Sequence, residues 1–133
     1  MRPFFADTFY YLALVNEDDG AHAETLAFAE GMAAPTITTA WVLTEVADAL
    51  SAPADRREFL GLLQALRADP LSTIVPATQA LFDQGVEFFA QRADKYWSLT
   101  DCISFVVMQE HGLTDALTGD HHFEQAGFRI LLK

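Results

Sequence analysis

Short strand-like segments alternate with helical segments along the whole of this chain, and this alternation constrains the fold more than any other feature. Five apolar, β-branched or aromatic runs are typical of strands, at residues 3–6, 35–39, 72–75, 116–118 and 127–132. Helical spacing of apolar residues fills most of the intervals between them. Strands that alternate with helices predict a parallel sheet covered by helices. We therefore predict an α/β fold, a three-layer α/β/α sandwich with a mainly parallel central sheet of four to five strands.

Length and composition favour a single domain over residues 1–133. Hydrophobic residues make up 51% of the chain and include 11 Phe, which is ample material for a core. No apolar run reaches the roughly 20 uncharged residues of a membrane helix, and the early Asp7 argues against a signal peptide. Cys102 is the single cysteine, so a disulfide framework is excluded. We expect a cytoplasmic protein without membrane contact.

The charge of the chain limits its possible partners. There are 8 Lys and Arg against 19 Asp and Glu, which gives a net charge of −11. Such a balance repels nucleic acid at long range and favours metal ions or basic partners. A nucleic-acid function would need cations near the site, and the candidates are Arg2, Arg92, Lys95 and Arg129.

Four acidic residues occupy positions that a parallel sheet brings together. Asp7 follows the first strand and Asp120 follows the fourth, whereas Glu45 lies in the helix after the second strand and Asp101 opens the helix before the fourth. Ligands of such sheets bind outside the carboxyl ends of the strands. Clustered carboxylates repel one another unless a cation compensates, and hard divalent ions prefer oxygen ligands. The pattern predicts a Mg²⁺ or Mn²⁺ site.

Most of these acids also have a purely structural interpretation. Asp7 could cap the first helix, and Asp120 could be a simple turn residue. Asp101 stands three residues after Ser98, which is the spacing of a capping box. Glu45 has the weakest structural alternative, because it interrupts a helix that is otherwise mostly apolar.

Further polar residues lie near the four acids in the sequence. Asp48 lies one turn from Glu45 on the same polar side of the helix and is a candidate to support or extend the metal site. Ser104 lies one turn after Asp101 and is a weaker candidate, since a bond to its own helix backbone is the simpler interpretation. The adjacent pair His121–His122 is expected to diverge on the surface, although one imidazole could meet a phosphate.

Four segments together resemble the successive motifs of the PIN-domain ribonucleases: Phe5–Thr8, Thr44–Leu50, Ser98–Asp101 and Leu117–Phe123. They occur in the order and at the distances of that family, and the similarity spans essentially the whole chain. The resemblance implies an α/β/α sandwich and metal-dependent endonucleolytic cleavage of RNA by the same four acids. It also matches Thr8 to the hydroxyl residue that often follows the first acid.

Many small members of that family are toxins of VapC-type toxin–antitoxin pairs. The resemblance therefore implies a Mg²⁺- or Mn²⁺-dependent endoribonuclease, inhibited by a cognate antitoxin whose basic segment could enter the acidic cluster. A homodimer is expected from the resemblance and from the apolar surface on the helices at 40–51 and 54–68.

The strong acidity leaves open an alternative, a PIN-like binding or scaffolding module with little nuclease activity. A Mg²⁺-dependent phosphatase is less favoured, because Phe9 stands where a second acid would follow Asp7.

Overall fold

The computed structural model describes residues 2–31 and 33–132. Strands and helices alternate as predicted. In chain order they are β1 (Phe4–Ala6), α1 (Thr8–Val15), α2 (His22–Gly31), β2 (Thr36–Thr39), α3 (Ala40–Ala49), α4 (Arg56–Ala68), β3 (Ser72–Val75), α5 (Gln79–Gln91), α6 (Leu99–Glu110), β4 (Asp115–Leu117), α7 (His122–Gln125) and β5 (Arg129–Ile130).

The strands form one five-stranded sheet in the order β3-β2-β1-β4-β5, and every pairing is parallel. The chain moves outward from β1 through β2 to β3, then returns across the sheet to β4 and continues to β5. Crossovers between parallel strands are almost always right-handed, so this reversal places α1–α4 on one face and α5–α7 on the other. The predicted three-layer α/β/α sandwich is confirmed.

The reversal of strand order creates a crevice between β1 and β4. Chain connections leave these two neighbouring strands towards opposite faces of the sheet, so their carboxyl ends are not covered by a shared connection. Asp7 directly follows β1, and Asp120 lies shortly after the end of β4. The topology alone therefore brings the first and last of the predicted acids to one edge of the sheet.

Helix α6 is the most deeply buried helix beside this crevice. Its residues from Asp101 to Phe105 are all buried, as are Val107 and Met108. On its outer side, a Cβ atom added to Gly85 of α5 would overlap the side chain of Ile103, so the two helices are in direct contact there. This close packing holds α6 in position, and with it the acid near its first turn.

The structure differs from the sequence-based expectations in two elements. Helix α7 was not predicted, because a helix of four residues is too short to show a periodic pattern, and the last strand covers only Arg129–Ile130.

Residues 2–31 and 33–132 contain no helix with both the length and the apolar character that a membrane crossing requires.

Candidate active site

An open pocket of about 520 Å³ lies at the carboxyl ends of β1 and β4. It is lined by Asp7, Thr8, Phe9, Leu12, Glu45, Tyr96, Ser98, Asp101, Gly119, Asp120 and His122. All four predicted acids contribute to this lining, and so does Thr8, the residue matched to the family's hydroxyl position. Asp48 and Ser104 do not.

Asp7 is the most buried acid of the pocket, with 5% of its surface exposed. It occupies the N-cap position of α1, but its side chain makes no capping bond and instead accepts a hydrogen bond of 2.9 Å from Thr118 Oγ1. Burial, assisted by the charges of Asp101 and Glu45, raises its pKa to about 7, although hydrogen bonds from Thr8 and Thr118 act in the opposite sense. Burial therefore disfavours the charged form of this carboxylate, and a nearby cation would favour it.

Asp101 has a structural role and also faces the pocket. The Ser98 hydroxyl accepts a hydrogen bond of 3.0 Å from the Asp101 backbone, and Asp101 Oδ2 accepts one of 3.2 Å from the Ser98 backbone, which completes a capping box. The same Oδ2 atom lies 3.1 Å from His122 Nδ1. Burial raises the pKa of Asp101, while the contacts with His122 and Ser98 lower it. The capping role of Asp101 is therefore compatible with a role in the pocket, because the capping box holds its carboxylate at the pocket wall.

Glu45 is half-buried and is oriented from a neighbouring helix. Thr8 Oγ1, at the start of α1, donates a hydrogen bond of 2.6 Å to Glu45 Oε1 on α3. This contact joins the residue after the first acid to the second acid of the pocket. A hydrogen bond of this kind allows Thr8 to hold the Glu45 carboxylate in place at the pocket.

Thr118 links the two strand ends, and sequence reasoning missed it. Its buried hydroxyl donates to Asp7 Oδ2 at 2.9 Å and accepts from the Asp120 backbone at 3.1 Å. Asp120 Oδ1 in turn accepts a hydrogen bond of 2.9 Å from the His122 backbone, which closes a tight turn after β4. The signal available in the sequence was a hydroxyl residue at a strand end, two positions before an acid.

His122 corrects the expectation that the two adjacent histidines diverge on the surface. Its Nδ1 atom lies 3.1 Å from Asp101 Oδ2 and 3.5 Å from Asp120 Oδ1, whereas His121 is exposed. One ligand atom from each of Asp101, Asp120 and His122 falls within 4.8 Å of the others. Helix α7 begins right after the Asp120 turn and directs the second imidazole into the pocket. In the sequence, the sign of this arrangement was a histidine two residues after Asp120.

Asp48 and Ser104, which the sequence offers as supporting residues of the metal site, do not line the pocket. Asp48 is exposed and lines a separate depression with Ser51 and Arg56, because each helical turn advances about 5.4 Å along α3 and carries it away from the strand ends. Ser104 is fully buried, and its hydroxyl has no hydrogen-bond partner among residues 2–31 and 33–132, including its own helix backbone.

The predicted cations do not line the pocket either. Arg92 forms an ion pair with Asp94 at 3.0 Å, and Arg129 forms one with Asp115 at 2.9 Å. At the rim, the described lining instead presents an aromatic ring, that of Tyr96, which is 96% exposed.

The donor chemistry of the pocket fits a divalent cation. Asp101, Asp120 and His122 offer three ligand atoms close together, and the carboxylates of Asp7 and Glu45 line the same space. Carboxylate oxygens are the ligands that hard divalent ions prefer. A bound cation would also compensate the charge of Asp7, whose pKa burial raises to about 7.

Comparison with known protein families agrees with this geometry. The family model of the PIN domain matches residues 4–129. This chain belongs to the PIN domain family. The match covers β1 to β4 and all the helices, so the four acids of this PIN domain lie within the matched region.

Individual relatives of this PIN domain come from several bacteria. The 23S rRNA-specific endonuclease VapC20 of Mycobacterium tuberculosis is 27% identical over 124 residues, which cover 93% of this chain and 94% of the relative. The crystal structure of that protein, described as a sarcin-ricin loop cleaving toxin, matches with a TM-score of 0.87 at 25% identity over 98% of this chain and 99% of the other.

Two more distant structures share the fold of this PIN domain. FitAcB from Neisseria gonorrhoeae has a TM-score of 0.67 at 16% identity and covers 96% of each chain. VapBC2 from Rickettsia felis, bound to a DNA fragment from its promoter, has a TM-score of 0.68 at 10% identity over 98% of this chain and 99% of the other. At these identities the likeness shows the fold.

Proposed function

We propose that this chain, as one PIN domain over residues 1–133, is a metal-dependent endoribonuclease that hydrolyses RNA phosphodiester bonds and acts as the toxin of a toxin–antitoxin pair. The observation that carries the proposal is the convergence of Asp7, Glu45, Asp101 and Asp120 in one pocket of a PIN fold. The relative from M. tuberculosis, whose name records action on 23S rRNA, supports RNA as the substrate class.

In the proposed reaction, the residues of the pocket hold Mg²⁺ or Mn²⁺ and keep the acidic side chains oriented. When bound, such an ion lowers the pKa of a water molecule and stabilises charge on the oxygens of an in-line displacement. Thr8 orients Glu45, and Thr118 orients Asp7. The capping box holds Asp101 at the pocket wall. These hydrogen bonds limit the reorganisation that the carboxylates need when a cation arrives.

The acidity of the chain shapes the proposed partners. Because the net charge is −11 and the pocket itself is acidic, a bound cation has to offset repulsion before an RNA phosphate can approach. Recognition of structured RNA by shape would suit a protein with few free cations. The same pocket suits a basic segment of a cognate antitoxin, whose Arg or Lys would pair with the carboxylates and exclude the metal. With RNA and an antitoxin as its partners, the protein would act in the cytoplasm.

The proposal is tested by incubating the purified protein with a sarcin-ricin loop oligonucleotide and with a wider panel of structured RNAs. We expect cleavage with Mg²⁺ or Mn²⁺ and at least a roughly 100-fold loss of rate when EDTA removes the ion, with recovery on re-addition. Cleavage that persists in EDTA would contradict metal dependence. A protein that neither cleaves any RNA of the panel nor binds Mn²⁺ by calorimetry would instead support the scaffolding alternative.

We also propose that the chain forms a homodimer. An apolar groove of about 660 Å³ lies between α3, α4 and β3, and Leu60 on α4 is 61% exposed. Phe82, Val86 and Phe89 are exposed on one side of α5 by 38%, 40% and 48%. Exposed apolar surface of this kind is typical of protein interfaces.

Sedimentation velocity at micromolar concentration is expected to give the mass of a dimer. A charge introduced by Val86→Glu should shift the mass towards that of the monomer, because an unpaired carboxylate in an apolar interface is costly. Asp83→Asn, on the same helix, serves as the control and should leave the dimer intact. A wild-type protein that sediments as a monomer at this concentration would rule the dimer out.

A further inference from the structure

We propose that His122 is a nitrogen ligand of the metal ion in this pocket and that it shifts the preference of the site from Mg²⁺ towards Mn²⁺. The inference rests on the metal site of the proposed function. It adds a ligand of a different chemical class, one that is not among the four acids predicted from the sequence.

The distances around His122 Nδ1 match those between neighbouring ligands of one ion. Nδ1 lies 3.1 Å from Asp101 Oδ2 and 3.5 Å from Asp120 Oδ1. Adjacent ligands of a six-coordinate ion with bonds of about 2.1 Å are about 3 Å apart. The three side chains are therefore already spaced as ligands would be, and all three ligand atoms lie within 4.8 Å of one another.

The position of the imidazole is fixed by the elements around it. The His122 backbone donates to Asp120 Oδ1 at 2.9 Å, which ties the start of α7 to the acid that shares the ion. The next residue, Phe123, is fully buried, and Trp97 Nε1 donates to Gln125 Oε1 at 2.9 Å at the far end of α7. A ligand held on an anchored helix loses little freedom on metal binding.

The chemistry of imidazole explains the expected selectivity. Mg²⁺ binds through oxygen ligands and water, whereas imidazole nitrogen favours transition ions over Mg²⁺. In the metal-free pocket, Nδ1 can donate its proton to Asp101 Oδ2. With an ion bound, the neutral imidazole would carry its proton on Nε2 and present the Nδ1 lone pair to the metal.

A competing role for His122 is that it only positions Asp101 by hydrogen bonding. Asn at this position separates the two roles, because its amide nitrogen lies close to the place of Nδ1 and can still donate to Asp101, while it lacks the imidazole ligand. The adjacent and exposed His121 provides a matched control, since His121→Asn removes one imidazole from the same turn.

The test is pulsed electron paramagnetic resonance on the Mn²⁺-loaded protein, which detects a nitrogen nucleus bonded to the ion, combined with calorimetric titration of both metals. We expect a ¹⁴N coupling in the wild type and in His121→Asn, and its loss in His122→Asn. We also expect His122→Asn to raise the Kd for Mn²⁺ by about 10-fold while the Kd for Mg²⁺ changes by less than about twofold.

Each of three other results would contradict a specific part of the proposal. Mn²⁺ that binds the wild type without any ¹⁴N coupling would show that His122 is not a ligand, and the metal site of the proposed function would stand. Equal weakening of both metals by His122→Asn would refute the selectivity and indicate a positioning role. Failure of the wild type to bind Mn²⁺ at all would overturn the proposed metal site itself.

Discussion

Asp101→Asn is expected to reduce metal-dependent RNA cleavage by at least ~100-fold while leaving the domain folded. The substitution removes a negative charge from the group formed by Asp101, Asp120 and His122, so the pocket holds a divalent ion less tightly. The fold is preserved because Asn keeps the side-chain volume, and its Oδ1 can still accept the hydrogen bond from the Ser98 backbone. Initial rates on a structured RNA, with circular dichroism and thermal denaturation alongside, measure both effects.

The matched control is Asp48→Asn, which makes the same chemical change at an exposed acid of α3 outside the pocket. Both variants lower the net negative charge of the protein equally, so any general effect of charge on RNA binding appears in both. We expect the rate of Asp48→Asn to stay within about twofold of the wild type. Equal losses in the two variants, or full activity in Asp101→Asn, would refute the assignment of the site.

Asp7→Asn is expected to make the metal-free protein more stable at pH 8, by about 2–4 kcal/mol. Burial raises the pKa of Asp7 from 3.8 to about 7 in the folded protein, so the folded state binds the proton more tightly than the unfolded state. The contribution of Asp7 to stability is therefore fully present below about pH 4 and is lost as the pH rises towards 7, where folding must accommodate a buried charge. An amide carries no such charge at any pH.

Urea denaturation in EDTA at pH 4 and pH 8 measures this difference. The wild type and Asp7→Asn should differ little at pH 4 and diverge at pH 8. Saturating Mn²⁺ at pH 8 should stabilise the wild type, because the cation compensates the carboxylate, and should stabilise the variant much less. A variant that is less stable than the wild type at pH 8 would show that Asp7 does not carry an uncompensated charge.

The sequence was sufficient to predict the fold and the convergence of the four acids in one pocket, from local patterns together with the resemblance to a known family. Alternating strand and helix segments imply a parallel sheet, and acids after strand ends converge wherever the strand order reverses. Asp7 and Asp120 each follow the end of a strand, and the two strands are neighbours at the point where the strand order reverses. Glu45 was recognisable because it interrupts an apolar helix.

Long-range contacts and short elements were not predictable from local patterns. The bond between Thr118 and Asp7 joins residues 111 positions apart, and α7, which directs His122 into the pocket, has no periodic pattern to detect. Asp48 was a candidate to support or extend the metal site because it lies one turn from Glu45 on the same polar side of α3. Its displacement along the helix axis carried it to a different surface, and only the packed structure shows that distance.

The central place of β1 in the sheet has a consequence for the synthesis of the protein. β1 is made before its neighbour β4 and before Asp101 and Asp120, so the pocket joins segments that are far apart in the sequence. A nascent chain that has emerged only through α5 holds Asp7 and Glu45 and lacks the other wall of the site. Proteins are made at about 5–20 residues per second, N-terminus first. The acidic pocket can therefore assemble only after β4 and the turn that carries Asp120 have been made.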